Sequence, residues 1–192
     1  MPWELHRFHE SGQTHFVTFS CYRRQEAFAT GEAARTFEAA LERVRRMYYL
    51  NVYGYVVMPE HVHLLLGEPE RATLAVVLKS LKQGVSRKLL GEAAHLWQKR
   101  YYDFNIRDRE QFLEKLRYIH RNPVERGLCE RPEDWEWSSF RHYATGYKGP
   151  VEIESERTAR IRERKAGRLT PPIQFPQLNS PTQRKSLEWA PP

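Results

Sequence analysis

Cysteine is scarce in this chain: its 192 residues hold only Cys21 and Cys129. Two thiols so far apart, with no partners at metal-ligand spacing, set aside a disulfide framework and a zinc finger, and they fit a reducing compartment. Long apolar runs are also missing, so no segment is expected to cross a bilayer. The opening Met1-Pro2-Trp3-Glu4-Leu5-His6 lacks the basic stretch and apolar run of a secretory leader. No internal repeat is found. A cytoplasmic protein with no membrane role is the expectation.

What is present points to a polyanion. The formal charge is +7 and the isoelectric point is near 9.5, with lysines and arginines in segments that also carry aromatics. That combination suits nucleic acid better than a merely solvated surface. The length allows one packed domain and an appendage.

Residues 14–22 are rich in β-branched and aromatic types and read as a strand. From Glu32 to Tyr48, Phe37, Leu41, Val44 and Tyr48 recur at helical spacing, with Arg35, Arg43 and Arg46 on the other side. Asn51–Met58 reads as a strand, Pro59-Glu60 interrupts it, and His61–Leu66 follows as another. A second helix is expected over about Thr73–Leu90, buried along Leu74, Val77, Leu78, Leu81, Val85 and Leu89. Residues 96–107 look like a strand pair or a bulged strand.

Asp108 then resembles an N-cap, with Gln111 completing a capping-box pattern. The third helix should run from Arg109 to Asn122, facing inward through Phe112, Leu116 and Ile119. Pro123 disfavours the helical conformation at Asn122 and should end it there. Trp135–Tyr143 is expected to pack back on the core.

The order β-α-β-β-α-β-α predicts an α+β fold, a ferredoxin-like antiparallel sheet with helices packed on one face. Beyond Gly149 the composition changes. Residues 151–170 alternate Glu and Arg, and 171–192 hold half of the prolines. The expected division is a domain over 1–149 and a basic, Pro-rich, partly flexible extension over 150–192.

His61 and His63 lie two apart on a strand, so both imidazoles leave the same face. Two neutral imidazoles so placed can hold one divalent cation with a third donor from elsewhere; alone, the pair equally suits two ordinary strand histidines. Tyr118 and Asn122 are four apart on the third helix and share a face distinct from the Phe112/Leu116/Ile119 stripe. They can be read as a phenolic nucleophile and a ligating amide, or as a packing tyrosine and a helix stop. His120 points away from Tyr118 around the helix. Tyr101, Tyr102, Tyr143 and Tyr147 also lie near basic residues, where a phenol could stack on bases.

Several motifs in order carry a resemblance. Tyr55-Val56-Val57-Met58-Pro59-Glu60-His61-Val62-His63 resembles the His-hydrophobic-His strand of the single-tyrosine HUH transposases. Tyr118-Ile119-His120-Arg121-Asn122-Pro123-Val124, with Gly127-Leu128, is similar to the tyrosine helix of their REP-associated branch. Trp135-Glu136-Trp137-Ser138-Ser139-Phe140 is similar to the segment that closes the core there. The match spans roughly residues 10–147.

The resemblance implies His61 and His63 as metal ligands, Asn122 as a third, polar ligand, and Tyr118 as the nucleophile. It implies Mg²⁺ or Mn²⁺ as the metal; imidazoles alone would also suit Zn²⁺. The implied substrate is single-stranded hairpin DNA like a repetitive extragenic palindrome, cut through a 5′-phosphotyrosine. Charge and expected exposure nominate Arg23, Arg24, Lys79, Lys82, Arg87, Lys99, Arg100 and Arg107 as DNA contacts. Monomer and homodimer both fit.

The rival readings are an HUH replication initiator or relaxase, a non-catalytic nucleic-acid-binding ferredoxin-like module, and a hydrolase whose histidine-held metal activates water. The 118–128 motif argues against the first. Dependence on the Tyr118 hydroxyl separates the second, and the absence of attached protein on the cut strand would mark the third.

Overall fold

The computed structural model describes residues 14–91 and 95–166. Strand β1 is Thr14–Ser20, helix α1 is Gly31–Tyr48, β2 is Val52–Val57 and β3 is His61–Gly67. Helix α2 is Leu74–Leu90, β4 is Tyr102–Ile106 and α3 is Arg109–Glu125. Two shorter helices follow, α4 over Phe140–Thr145 and α5 over Glu156–Ala166. The strands form one antiparallel sheet in the order β2-β3-β1-β4. The α+β, ferredoxin-like expectation therefore holds.

Side-chain caps start the three long helices, at Asp108 as the sequence suggests and at Thr30 and Thr73 as well. The Thr30 hydroxyl accepts from the Ala33 amide at the head of α1, and Thr73 accepts from the Val76 amide at the head of α2. Asp108 accepts from the Gln111 amide at 2.8 Å, while the Gln111 side chain reaches back to the Arg107 amide, one residue before the cap.

The placement of the helices departs from the expected single layer. Helices α1 and α2 cover one face of the sheet, burying Phe37, Leu41, Val44, Leu78 and Leu81 against Val17, Val62, Leu64 and Leu66. Helix α3 lies across the other face, where Leu116 and Ile119 pack on Phe16, Val56, Leu65 and Ile106. The sequence holds the reason. Leu64-Leu65-Leu66 does not alternate, so both faces of β3 need cover, and every residue of β3 is buried. Each fully buried aliphatic side chain contributes about 1.5–3 kcal/mol, which makes a bare second face untenable.

Gly54 allows that second layer to close. A Cβ there would stand 2.7 Å from Cδ1 of Leu116, so α3 sits directly on the β2 backbone. Helix α3 also runs past Asn122, taking Pro123 into its last turn. The ring leaves the Ile119 carbonyl without its usual helical donor. At the C-cap the Arg126 amide donates to the Asn122 carbonyl at 3.0 Å.

The outer edge of β2 is covered. The Ser139 amide donates to the Tyr55 carbonyl, the Val57 amide to the Trp137 carbonyl, and the Trp135 indole to the Val57 carbonyl. The first compact unit runs on to Thr158 rather than stopping at Gly149, because Val151 and Ile153 are buried and the Glu154 amide donates to the Val52 carbonyl. The Pro-rich stretch 171–192 lies outside the described residues.

Under α1, Glu38 is 3% exposed and accepts from the Tyr55 hydroxyl at 2.7 Å. Burial outweighs that bond and pushes its pKa up to about 7. Glu38 therefore binds a proton on folding between its ordinary value and about 7, so the folded state loses stability as pH rises through that window. Glu38→Gln should raise the melting temperature relative to the parent at pH 8 and little at pH 5, read by circular dichroism. Gly54→Ala should cost about 1–3 kcal/mol in urea unfolding, through the Leu116 contact.

Candidate functional site

The alternation of β3 sends His61, His63 and Leu65 to the α3 side and Val62, Leu64 and Leu66 to the α1/α2 side. Leu65 joins the core there, and the two histidines form a buried polar end to the same surface, His61 at 5% and His63 at 4% exposure. Their Nε2 atoms face one another at 3.0 Å, with the rings nearly perpendicular at 79°.

Each ring has a polar neighbour behind it. Nδ1 of His63 lies 2.7 Å from the Thr18 hydroxyl, and Nδ1 of His61 lies 3.2 Å from a Glu60 carboxylate oxygen. With the ring proton on Nδ1, each Nε2 would present a lone pair to a cation. Burial lowers the pKa of both histidines, His63 to about 3, with His61 and Arg126 adding to the effect there. Both rings are therefore neutral at neutral pH, the form that can ligate a metal.

Helix α3 supplies the facing surface. Tyr118, Asn122 and Arg126 fall four residues apart, on one stripe. The Tyr118 ring lies against His63, centroids 5.1 Å apart, and edge-on to Phe16 at 5.9 Å, with 40% of the residue exposed. At the far end Arg126 donates to Glu60 at 2.8 Å. Between them Asn122 is 6% exposed, and its Oδ1 is a buried acceptor without a hydrogen-bond partner. An orphaned buried acceptor costs about 1–3 kcal/mol, so an electrophile beside it would relieve a real penalty.

The donor set therefore fits a divalent cation: two imidazole nitrogens and an amide oxygen. No cluster of three His, Cys, Asp or Glu side chains that could hold a metal occurs among the described residues, so a third donor would have to be of another type. Glu60 stands behind His61. Burial works against its ionisation, but the His61 ring and Arg126 outweigh that and keep its carboxyl below the ordinary range.

Sequence reasoning named His61, His63, Tyr118 and Asn122, and the fold brings all four to one surface. It missed Thr18, Glu60, Arg126 and Phe16. Arg126 was legible as the next member of the Tyr118/Asn122 stripe, had the helix not been stopped at Pro123. Thr18 and Phe16 depend on strand register, through the pairs Thr18–His63 and Phe16–Leu65.

His120 is buried, with Nε2 2.9 Å from the Ser139 hydroxyl, so it braces the closing segment. The Tyr143 hydroxyl donates to the Tyr53 carbonyl at 2.6 Å, and burial raises its pKa well above the ordinary value.

The basic residues divide by location. Arg24 lies 3.7 Å from Glu60, on the histidine side. Lys79, Lys82, Arg87 and Lys99 line a cleft of about 510 Å³ between α2 and residues 95–101. Within it Lys82 donates to the Gln98 carbonyl, which gives it a structural tie as well. Arg23, Arg100 and Arg107 are exposed, Arg23 over the Tyr22 ring at 5.3 Å.

Residues 9–122 match the family described as IS200-like transposase. A Haemophilus influenzae protein classed with the REP-associated tyrosine transposases is 28% identical over 142 residues, 67% of this chain and 80% of its own length. The REP-associated tyrosine transposase of Escherichia coli K12 is 25% identical over 142 residues, 71% of this chain and 82% of its own. A solved REP-associated tyrosine transposase bound to a REP hairpin superposes with a TM-score of 0.66 at 26% identity, covering 79% of this chain and 92% of that one.

The braces behind the histidines make a direct test. Thr18→Val and Glu60→Ala should each weaken Mn²⁺ binding about 10- to 100-fold, followed by electron paramagnetic resonance of free Mn²⁺. Unchanged affinity in both would refute their role in orienting the rings.

Proposed function

The chain belongs to the IS200-like transposase family, in its REP-associated tyrosine branch, and is a single-tyrosine HUH transposase; from that membership we propose that it cuts and rejoins single-stranded DNA beside a REP-like hairpin through a 5′-phosphotyrosine on Tyr118. The carrying observation is the half-exposed Tyr118 ring 5.1 Å from His63, beside facing imidazole nitrogens. The hairpin ligand of the solved relative supports the choice of substrate.

In the proposed step the Tyr118 oxygen attacks phosphorus in line. The Tyr118–phosphorus bond forms, the bond to O3′ breaks, and the departing oxygen leaves as a 3′-hydroxyl. The energy of the phosphodiester is kept in the covalent link, so a 3′-hydroxyl can reseal the strand without ATP. Tyr118 is suited to this because one side of its ring is anchored on Phe16 and His63 while the residue stays open to solvent.

His61, His63 and Asn122 would hold a divalent cation, which would supply Lewis-acid stabilisation of charge on the phosphoryl oxygens. Mg²⁺ or Mn²⁺ is the ion the family resemblance implies; imidazole donors alone would also suit Zn²⁺. Arg24, on the histidine side, and the cleft of Lys79, Lys82, Arg87 and Lys99 would add contacts to the DNA backbone, with Arg23, Arg100 and Arg107 as further candidates.

The test is incubation of labelled single-stranded hairpin DNA with the protein and Mn²⁺. A protein–DNA adduct that survives SDS is expected. Tyr118→Phe should reduce it by at least about 10³-fold with DNA binding kept, and EDTA should abolish it. Cut strands with 5′-phosphate and no attached protein would defeat the phosphotyrosine reading in favour of water as nucleophile.

A further inference from the structure

The sheet register sets a fourth aromatic beside this site. Thr18 pairs with His63 on one side and with Tyr102 on the other, and His63 pairs with Val56. Val56, His63, Thr18 and Tyr102 therefore form one rung across the sheet, and directly paired residues project to the same face. Strands about 4.8 Å apart put Tyr102 about 10 Å from His63. That distance is a few stacked nucleotides at about 3.4 Å each.

The rung continues a row of rings. Phe16, itself buried, stacks parallel to His63 at 5.6 Å and 17°. It meets Tyr118 edge-on at 5.9 Å and Tyr102 edge-on at 6.4 Å. Tyr102 ends this row on β4, the edge strand, with 48% of its surface exposed. Nearby on α3, Lys115 places its ammonium 5.7 Å over Phe16 and 5.3 Å over Phe104. Its ion pair with Glu114 at 2.8 Å is a surface contact worth little.

We propose that Tyr102, backed by Phe16, is a nucleobase-stacking subsite that seats a base of the single strand within a few nucleotides of the phosphate presented to Tyr118. This rests on the phosphotyrosine reading above for the position of the scissile phosphate, and extends it to a residue that touches no reacting atom. A half-exposed ring at the open end of an aromatic row offers a π surface, and every base has a π face, so the subsite tolerates sequence. Lys115 supplies positive charge for the adjoining phosphate. The role needs the ring and not the hydroxyl, which separates it from nucleophilic or hydrogen-bonding roles. It also differs from the α2 cleft, whose helix covers the opposite face of the sheet.

The experiment is a 2-aminopurine scan: single-stranded oligonucleotides carry the fluorescent base at successive positions and bind full-length protein with Tyr118→Phe, so binding is read without cleavage. Quenching is expected at one or two positions. Tyr102→Phe should keep it, whereas Tyr102→Leu, which retains apolar packing on Phe16, should lose it and weaken binding about 5- to 150-fold, the range for one base–aromatic stack. In the cleaving protein Tyr102→Leu should raise KM with kcat little changed. Quenching and affinity unaltered in Tyr102→Leu would overturn the subsite, as would equal losses in the Phe and Leu variants. Tyr102-dependent quenching by a protein that never forms an adduct would uphold the subsite and sink the phosphotyrosine reading. Failure to bind any single strand would overturn both.

Discussion

Everything at this site depends on α3 being seated on the histidine face of the sheet. The helix is anchored by Leu116 and Ile119, on Phe16, Val56 and Leu65, and the backbone at Gly54 lets it approach closely. Successive residues turn by about 100° around a helix. Burying Leu116 and Ile119 therefore turns Tyr118, Asn122 and Arg126 toward the flank, where His63 and Glu60 stand. Apolar packing sets the depth of the helix, and its rotation follows from the same contacts. The Arg126–Glu60 pair pins the far end, but two side-chain anchors of about 1.5–3 kcal/mol each outweigh one partly exposed ion pair.

The histidines are the second half of the constraint. Their burial disfavours the charged form, Thr18 and Glu60 stand behind the rings, and the two Nε2 atoms face one another. The proposed cation site rests on that arrangement. Glu60 connects the two halves, since one of its oxygens meets both the His61 ring and the guanidinium at the end of the tyrosine helix. The histidine strand and the Tyr118 helix are thereby held to each other as well as to the core.

Much of this was legible in residue order. Helical spacing along Phe37, Leu41 and Val44 placed α1, the apolar stripe from Leu74 to Leu89 placed α2, the cap at Asp108 placed the start of α3, and the His-Val-His alternation put two imidazoles on one face. The spacing of Tyr118 and Asn122 put them on one side of their helix. Two features went against local rules. Pro123 reads as a helix stop, yet near the C-terminal end it removes only one hydrogen bond, and burial of Asn122 and Pro123 carries the helix on another turn. The three consecutive leucines of β3 signalled cover on both faces, but a period-two reading of the histidines drew attention to one face alone.

The sequence by itself determined which elements form and which candidate residues they bear, because periodicity, capping and residue type act over a few neighbouring positions. Only the tertiary structure decided that the elements meet. Strand pairing across more than forty residues brought Thr18 to His63 and, through Thr18, Tyr102 to the same rung. The choice of face for α3 brought Tyr118 to the histidines. Those outcomes come from burying two sides of one sheet at once, a condition on the whole chain that no local pattern contains.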